Sequence, residues 1–168
     1  PAFPNWYINN PGEQPPWMEL PEKDKLYATI GQAGITKNSI VVVIARTSDS
    51  EISGQGAYGL TKASRAAITL IYAGIKKVIF LNGGYDKWAA DGKTVSTKPT
   101  IPQATIYDGK VHETMFVTKA YVEDKLGKST IIDTRDCDTY FGLDTDYSSH
   151  RAGHIPTAKV LPAPWFWQ

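Results

Sequence analysis

Two β-branched runs framing one helix constrain this chain more than any other feature. Ile40-Val41-Val42-Val43-Ile44-Ala45 is apolar without alternation, and so is Val78-Ile79-Phe80-Leu81. Runs of this kind read as strands buried on both faces, as in parallel sheets. Between them, Ala63, Ala67, Leu70, Ile71 and Gly74 fall on one helical face within residues 62–74 and are small enough to pack closely on a sheet. Gly74 stops that helix, and Asn82-Gly83-Gly84 turns the chain into a short helix over 85–90. Strand, helix and strand make a β-α-β unit, for which a right-handed crossover is the strong default. The fold class expected is therefore α/β.

The rest of the chain is read around that unit. Six prolines within the first 21 positions predict an irregular opening segment. Leu26, Ile30 and Ile35 suggest a short helix from Glu22 that ends near Gly31 or Gly34. Residues 46–60, rich in Ser and Gly, read as a loop. Pro99 and Pro102 among Thr, Ser and Lys give residues 94–108 the composition of a linker, with one short strand over 104–107. Thr118 can cap a helix over 119–126 that Gly127 ends, and Thr130-Ile131-Ile132-Asp133 reads as a third buried strand. A helical turn over 136–141 and a turn followed by a short strand over 150–160 complete the reading.

Composition narrows the function classes. The 168 residues give room for one ordinary domain, and 18 Lys plus Arg against 17 Asp plus Glu leave a net charge of +1. That balance supplies no electrostatic footprint for a nucleic-acid partner. The single cysteine, Cys137, excludes an internal disulfide and a cysteine-based zinc cluster, and it fits either cytoplasm or periplasm. Asp144-Thr145-Asp146 lacks the Gly and Glu of a calcium loop, so no metal or cofactor is expected. No apolar run approaches the roughly 20 residues of a membrane helix. The aromatic, Pro-rich ends, Pro1 to Tyr7 and Pro162 to Gln168, read as cut rather than native termini.

Ile131-Ile132-Asp133-Thr134-Arg135, then Tyr140-Phe141-Gly142, then Ala152-Gly153-His154-Ile155-Pro156-Thr157-Ala158 closely resemble the opening half of a rhodanese domain. Val41-Val42-Val43, Ser64-Arg65-Ala66-Ala67, Tyr72-Ala73-Gly74, Val78 to Gly84, Trp88 and Gly92 resemble its closing half. The closing half comes first here. Pro1-Ala2 with Trp6-Tyr7 also resembles Pro162-Ala163 with Trp165-Phe166, close to one repeat period later. The resemblance thus implies a tandem rhodanese: residues 1–100 are the late part of a first, non-catalytic repeat, 101–117 a linker, and 118–168 the early part of a second. It implies a parallel five-stranded sheet with helices on both faces, split across two repeats.

The same resemblance implies sulfur transfer from thiosulfate or a similar donor anion to a thiophilic acceptor, through a cysteine persulfide. Such a thiolate needs a lowered pKa at a helix N-terminus ringed by backbone N–H groups. In the family that cysteine follows the Val-Val-Val strand, whereas here the loop runs Ala45-Arg46-Thr47-Ser48-Asp49-Ser50 and holds none. Cys137, flanked by Asp136 and Asp138, reads as a bystander, since neighbouring negative charge raises a thiol pKa. The nucleophile is therefore expected outside this chain, which alone is expected to be inactive. Arg46 and Arg65 are candidates for lining the degenerate loop and holding an anion, against the plainer readings of a solvated loop Arg and a helix-anchoring Arg. By the resemblance Asp133 and Arg135 form a structural pair at a strand end, and Gly153 and His154 a turn at a strand entry. Thr139, where several thiosulfate-specific members carry Arg, puts thiosulfate itself in question as donor. Asn82-Gly83-Gly84 reads as a strand turn rather than a phosphate cradle.

Two alternatives to the enzyme reading and its assembly stand at this point. The chain can be a non-catalytic rhodanese-like binding or scaffold module. Its partners can be the remaining fragments of the same parent polypeptide, the favoured expectation, or a swapped copy of itself that completes the sheet.

Overall fold

The computed structural model describes residues 8–9, 18–46, 58–145 and 151–166. They form two compact units. The first comprises Pro1–Ile8 and Glu19–Met115, the second Asn9–Met18 and Phe116–Gln168. In chain order the elements are strands β1 (Ile8–Asn9) and β2 (Met18–Glu19), helix α1 (Lys23–Gln32), strand β3 (Ile40–Val43), helix α2 (Tyr58–Tyr72), strand β4 (Lys77–Phe80) and helix α3 (Gly84–Ala90). Helix α4 (Lys119–Asp124), strand β5 (Ile132–Asp133), helix α5 (Cys137–Phe141), strand β6 (Lys159–Val160) and a 3-10 turn, Ala163–Phe166, follow.

In the first unit β3 and β4 pair in parallel, with Ile40 opposite Lys77 and Val43 opposite Phe80. The β-α-β expectation is met, and α2 begins at Tyr58, inside the stretch read as loop, because Gly59 interrupts the composition without interrupting the helix. Leu26, Ile30, Leu70, Ala73, Ile75 and Tyr107 form the buried core, and Val41, Val43 and Val78 pack against it from the sheet. Gly74, at φ 101°, adopts the left-handed conformation that ends α2.

Two expectations are corrected and another is met only in part. Among the described residues the ladders are two-stranded pairs, β1 with β2, β3 with β4 and β5 with β6, so a five-stranded parallel sheet is not present among them. Nor are β3 and β4 buried on both faces. In parallel pairs, residues in register share a face, so Val41, Val43 and Val78 meet the core while Ile40, Val42 and Ile79 lie on the other side, about half or more exposed. A continuous apolar run encodes two burial layers, and only one is supplied here. Finally, residues 104–107 form no strand.

That stretch is nevertheless held firmly. Thr105 N–H donates to the Gly31 carbonyl at 2.9 Å, and His112 N–H to the Tyr72 carbonyl at 2.8 Å. Gly31 is required there, since a Cβ would overlap the Thr105 carbonyl oxygen. The buried Tyr107 hydroxyl donates to the Ala73 carbonyl at 2.7 Å, and its ring meets Tyr27 edge-on at 5.1 Å. Burial pushes the Tyr107 pKa up to about 12, with the neighbouring Tyr27 and Asp108 adding to the effect.

In the second unit β5 and β6 are parallel, with Ile132 opposite Lys159 and Asp133 opposite Val160. Thr118 caps α4, its hydroxyl accepting from Tyr121 N–H at 3.3 Å, as its sequence position predicts. No helix among the described residues is long and apolar enough to cross a membrane.

Candidate functional site

The residues of the second unit singled out by sequence come together at one strand end. Asp133 closes β5, and Arg135 folds back onto it. The Arg135 Nε donates to Asp133 Oδ1 at 3.0 Å and an Arg135 terminal nitrogen to Oδ2 at 2.6 Å, a two-pronged pairing that suits a planar guanidinium on a carboxylate. The same terminal nitrogen donates to the Gly153 carbonyl at 2.8 Å, and the Arg135 backbone N–H adds a bond to Asp133 Oδ1 at 3.0 Å. One side chain thus ties the end of β5 to the turn that leads into β6.

A second set of bonds joins α5 to that turn. The Tyr140 hydroxyl donates to the Ala158 carbonyl at 2.8 Å. His154 Nδ1 lies 3.0 Å from the Tyr140 carbonyl, which can only accept, so Nδ1 carries the proton. The two rings stack at 3.8 Å and 9°. Cys137 is half-buried at the first position of α5, one residue beyond its cap Asp136.

Asp133 titrates below the usual carboxylate range. The chief cause is the Arg135 side-chain bond; the Arg135 amide, its charge and that of His154 act in the same direction against the cost of burial. A folded-state pKa held below the unfolded value, about 3.9, contributes stability above that value and loses it as pH falls through the folded pKa. The urea midpoint difference between the native chain and Asp133→Asn is therefore expected to be constant above about pH 5 and to shrink as the solution is acidified below about pH 4.

Thr157 supplies a feature that residue type and hydrophobic periodicity do not flag. Its φ is 70°, the one positive value at a non-glycine among the described residues, and its Oγ1 accepts from Gly127 N–H at 3.3 Å. A left-handed conformation costs an L-residue about 1–2 kcal/mol, more for a β-branched side chain than the roughly 0.5–1 kcal/mol of backbone entropy that glycine forfeits. The long hydroxyl bond recovers little. Thr157→Gly is expected to stabilise the chain by about 0.5 kcal/mol, read as a raised urea midpoint, whereas Thr157→Val is expected to lower it.

In the first unit, Arg46 Nε faces Asp86 Oδ1 at 3.5 Å, joining the end of β3 to α3. Arg65 is half-buried on α2, and its carbonyl accepts from the buried Thr69 hydroxyl at 2.8 Å. The loop these two arginines were expected to line, residues 47–57, lies outside the described residues. Gly83, with φ 80°, begins the turn into α3, and Asp86 is a partner for Arg46 that sequence spacing did not suggest. Among the described residues no group of three or more His, Cys, Asp or Glu could hold a metal ion.

The backbone of the chain superposes on solved structures. The chain superposes with a TM-score of 0.67 on the 3-mercaptopyruvate sulfotransferase SseA from Escherichia coli, described as a rhodanese fold, covering 85% of this chain and 50% of that one at 21% identity. The chain has a rhodanese-like fold. The anaerobic ergothioneine biosynthesis enzyme from Chlorobium limicola aligns at a TM-score of 0.69 with 25% identity, over 85% of this chain and 36% of the enzyme. Sequence relatives agree with the rhodanese assignment. A thiosulfate sulfurtransferase of Gallus gallus is 26% identical over 88% of this chain and 48% of its own length. The sulfur carrier protein TtuD of Thermus thermophilus is 34% identical over 54% of this chain and 36% of its own length. No family model matches the chain. The rhodanese-like chain spans half or less of the length of these relatives.

Proposed function

We propose that this chain is part of a tandem rhodanese-type sulfurtransferase that moves sulfane sulfur from thiosulfate or a similar anion to a thiophilic acceptor through a cysteine persulfide. Residues 1–100 are the late part of a first, non-catalytic repeat, 101–117 the connection, and 118–168 the early part of a second repeat whose nucleophile lies outside this chain. The observation that carries the reading is collinearity. A relative named thiosulfate sulfurtransferase aligns over 149 residues, 88% of this chain but only 48% of itself, and one continuous match of that length supports an order of closing half before opening half within a longer tandem protein. The absence of cysteine from residues 44–60 supports a first repeat without transfer chemistry, and the half-buried Cys137 lies far from that loop in sequence, between Asp136 and Asp138.

A thiosulfate:cyanide transfer assay tests the reading. The chain alone is expected to give no turnover, and the parent polypeptide is expected to lose its turnover when the loop cysteine of its second repeat becomes serine. Turnover by residues 1–168 that Cys137→Ser abolishes overturns it. The cysteine-free loop also favours a second reading, a rhodanese-like binding or scaffold module; a parent whose second loop carries Asp or Ser and shows no transfer supports that reading instead.

A further inference from the structure

The turn Asn82-Gly83-Gly84 after β4 is a motif that sulfur transfer leaves unused. Of the five asparagines in the chain only Asn82 precedes a glycine; the others precede Trp6, Asn10, Pro11 and Ser39. Asparagine is among the thermolabile residues. Its side-chain carbonyl carbon is open to attack by the next backbone nitrogen, which glycine, having no side chain, shields least. Both reacting groups are free at Asn82. The residue is exposed, and neither its side-chain amide nor the Gly83 N–H makes a hydrogen bond among the described residues. The turn is closed around them by the Gly84 N–H, which donates to the Leu81 carbonyl at 3.0 Å, with Gly83 left-handed at φ 80°.

The comparable sites are tied. Two Asp-Gly pairs, Asp91-Gly92 and Asp108-Gly109, offer the same ring closure with water leaving in place of ammonia. Lys87 Nζ holds the Asp91 carboxylate at 3.0 and 3.1 Å, and the Gly92 N–H donates to the Ala89 carbonyl at 3.0 Å. Lys37 Nζ holds Asp108 at 2.6 Å, a bond that keeps its carboxyl below the ordinary range and so ionised, the form a nitrogen attacks least readily. At Asn38 the following nitrogen is engaged, since the Ser39 N–H donates to the Thr36 carbonyl at 3.0 Å.

We propose that Asn82 is a self-modification site. The Gly83 nitrogen bonds to the Asn82 side-chain carbonyl carbon, that carbon's bond to the amide nitrogen breaks, and ammonia leaves with the Gly83 proton. Water then opens the cyclic imide at either carbonyl, giving aspartate or isoaspartate; nothing is oxidised or reduced. The product carries a new carboxylate, and in the iso form the main chain gains a methylene, inside the turn that docks α3 on the end of β3. Two contacts make that docking: the Tyr85 N–H donates to the Ala45 carbonyl at 2.9 Å, and Asp86 faces Arg46. A longer turn displaces Tyr85 from the first of them, so conversion loosens α3 while β3 and β4 stay paired.

Tryptic mapping of the whole chain, held folded in mildly alkaline buffer and compared with a chain not so held, tests it. The peptide 78–87 is expected to convert to two products of equal mass, one of which accepts a methyl group from an isoaspartyl methyltransferase. Its rate is expected to exceed more than tenfold that of Asn38 in peptide 38–46 and that of isomerisation in peptides 88–93 and 94–110. A Cβ at Gly83 would overlap the Lys87 side chain, so the variant is Asn82→Gln, whose extra methylene demands a larger ring. It is expected to stop the conversion with circular dichroism unchanged. Amide exchange at Tyr85 is expected to quicken in the isoaspartate product. An Asn82 that stays intact in the folded chain and converts only in urea overturns the inference. So do equal rates at Asn38 or the Asp-Gly pairs, products that survive Asn82→Gln, or Tyr85 exchange unchanged by conversion.

Discussion

Leu26→Ala is expected to remove about 3 kcal/mol from the stability of the first unit, the middle of the range for emptying a buried leucine site. Leu26 is fully buried, and it reaches the core from α1 alongside Ile30, meeting Leu70, Ala73 and Ile75 from the crossover helix and its exit. The site cannot collapse easily. Its walls come from separate elements, and one of them, Tyr107, is fixed by its hydroxyl bond to the Ala73 carbonyl. Ile68, which α2 turns toward solvent at 37% exposure, is the matched control: Ile68→Ala is expected to cost about 1 kcal/mol or less. Urea denaturation followed by far-ultraviolet circular dichroism distinguishes the two. Equal losses would mean that the core is not where the buried side chains place it.

The difference between the buried Leu26 site and the exposed Ile68 also explains what could be read from sequence. The period of 3.6 in α2 is visible because Ala63, Ala67 and Leu70 repeat within one element, and all three are buried. The parallel pairing of β3 with β4 follows from the helix between them. Burial on both faces does not, because a strand's second face depends on a layer that this chain's described residues do not supply. Tyr107 was hidden for a different reason: a single anchor in a Pro- and Thr-rich stretch has no period, and its partners, Ala73 and Gly31, lie more than 30 positions away. At the second-unit cluster the motif residues Asp133, Arg135, Gly153, His154 and Tyr140 were legible as types, whereas the left-handed Thr157 between them was not. Nothing in the letters Pro156-Thr157-Ala158 announces a positive φ.

Arg135 is where the second unit should fail most sharply. Arg135→Ala leaves the Asp133 carboxylate, whose side chain is only 11% exposed, with no guanidinium, and it strips the Gly153 carbonyl of the same donor. Breaking a fully buried pair by removing one partner costs about 3–5 kcal/mol. Because the Arg135 side chain is 35% exposed and water can reach the gap, about 2–3 kcal/mol is expected here. Arg135→Lys should recover only part, since an ammonium is a point charge that cannot span both carboxylate oxygens and a carbonyl at once. Asp133→Asn combined with Arg135→Ala removes the stranded charge. It should therefore cost less than Arg135→Ala alone at pH 7 and converge with it in acid, where Asp133 is protonated in both states. A double variant that costs the full sum of the two single changes would show that the ion pair is not the contact joining the β5 end to the turn before β6.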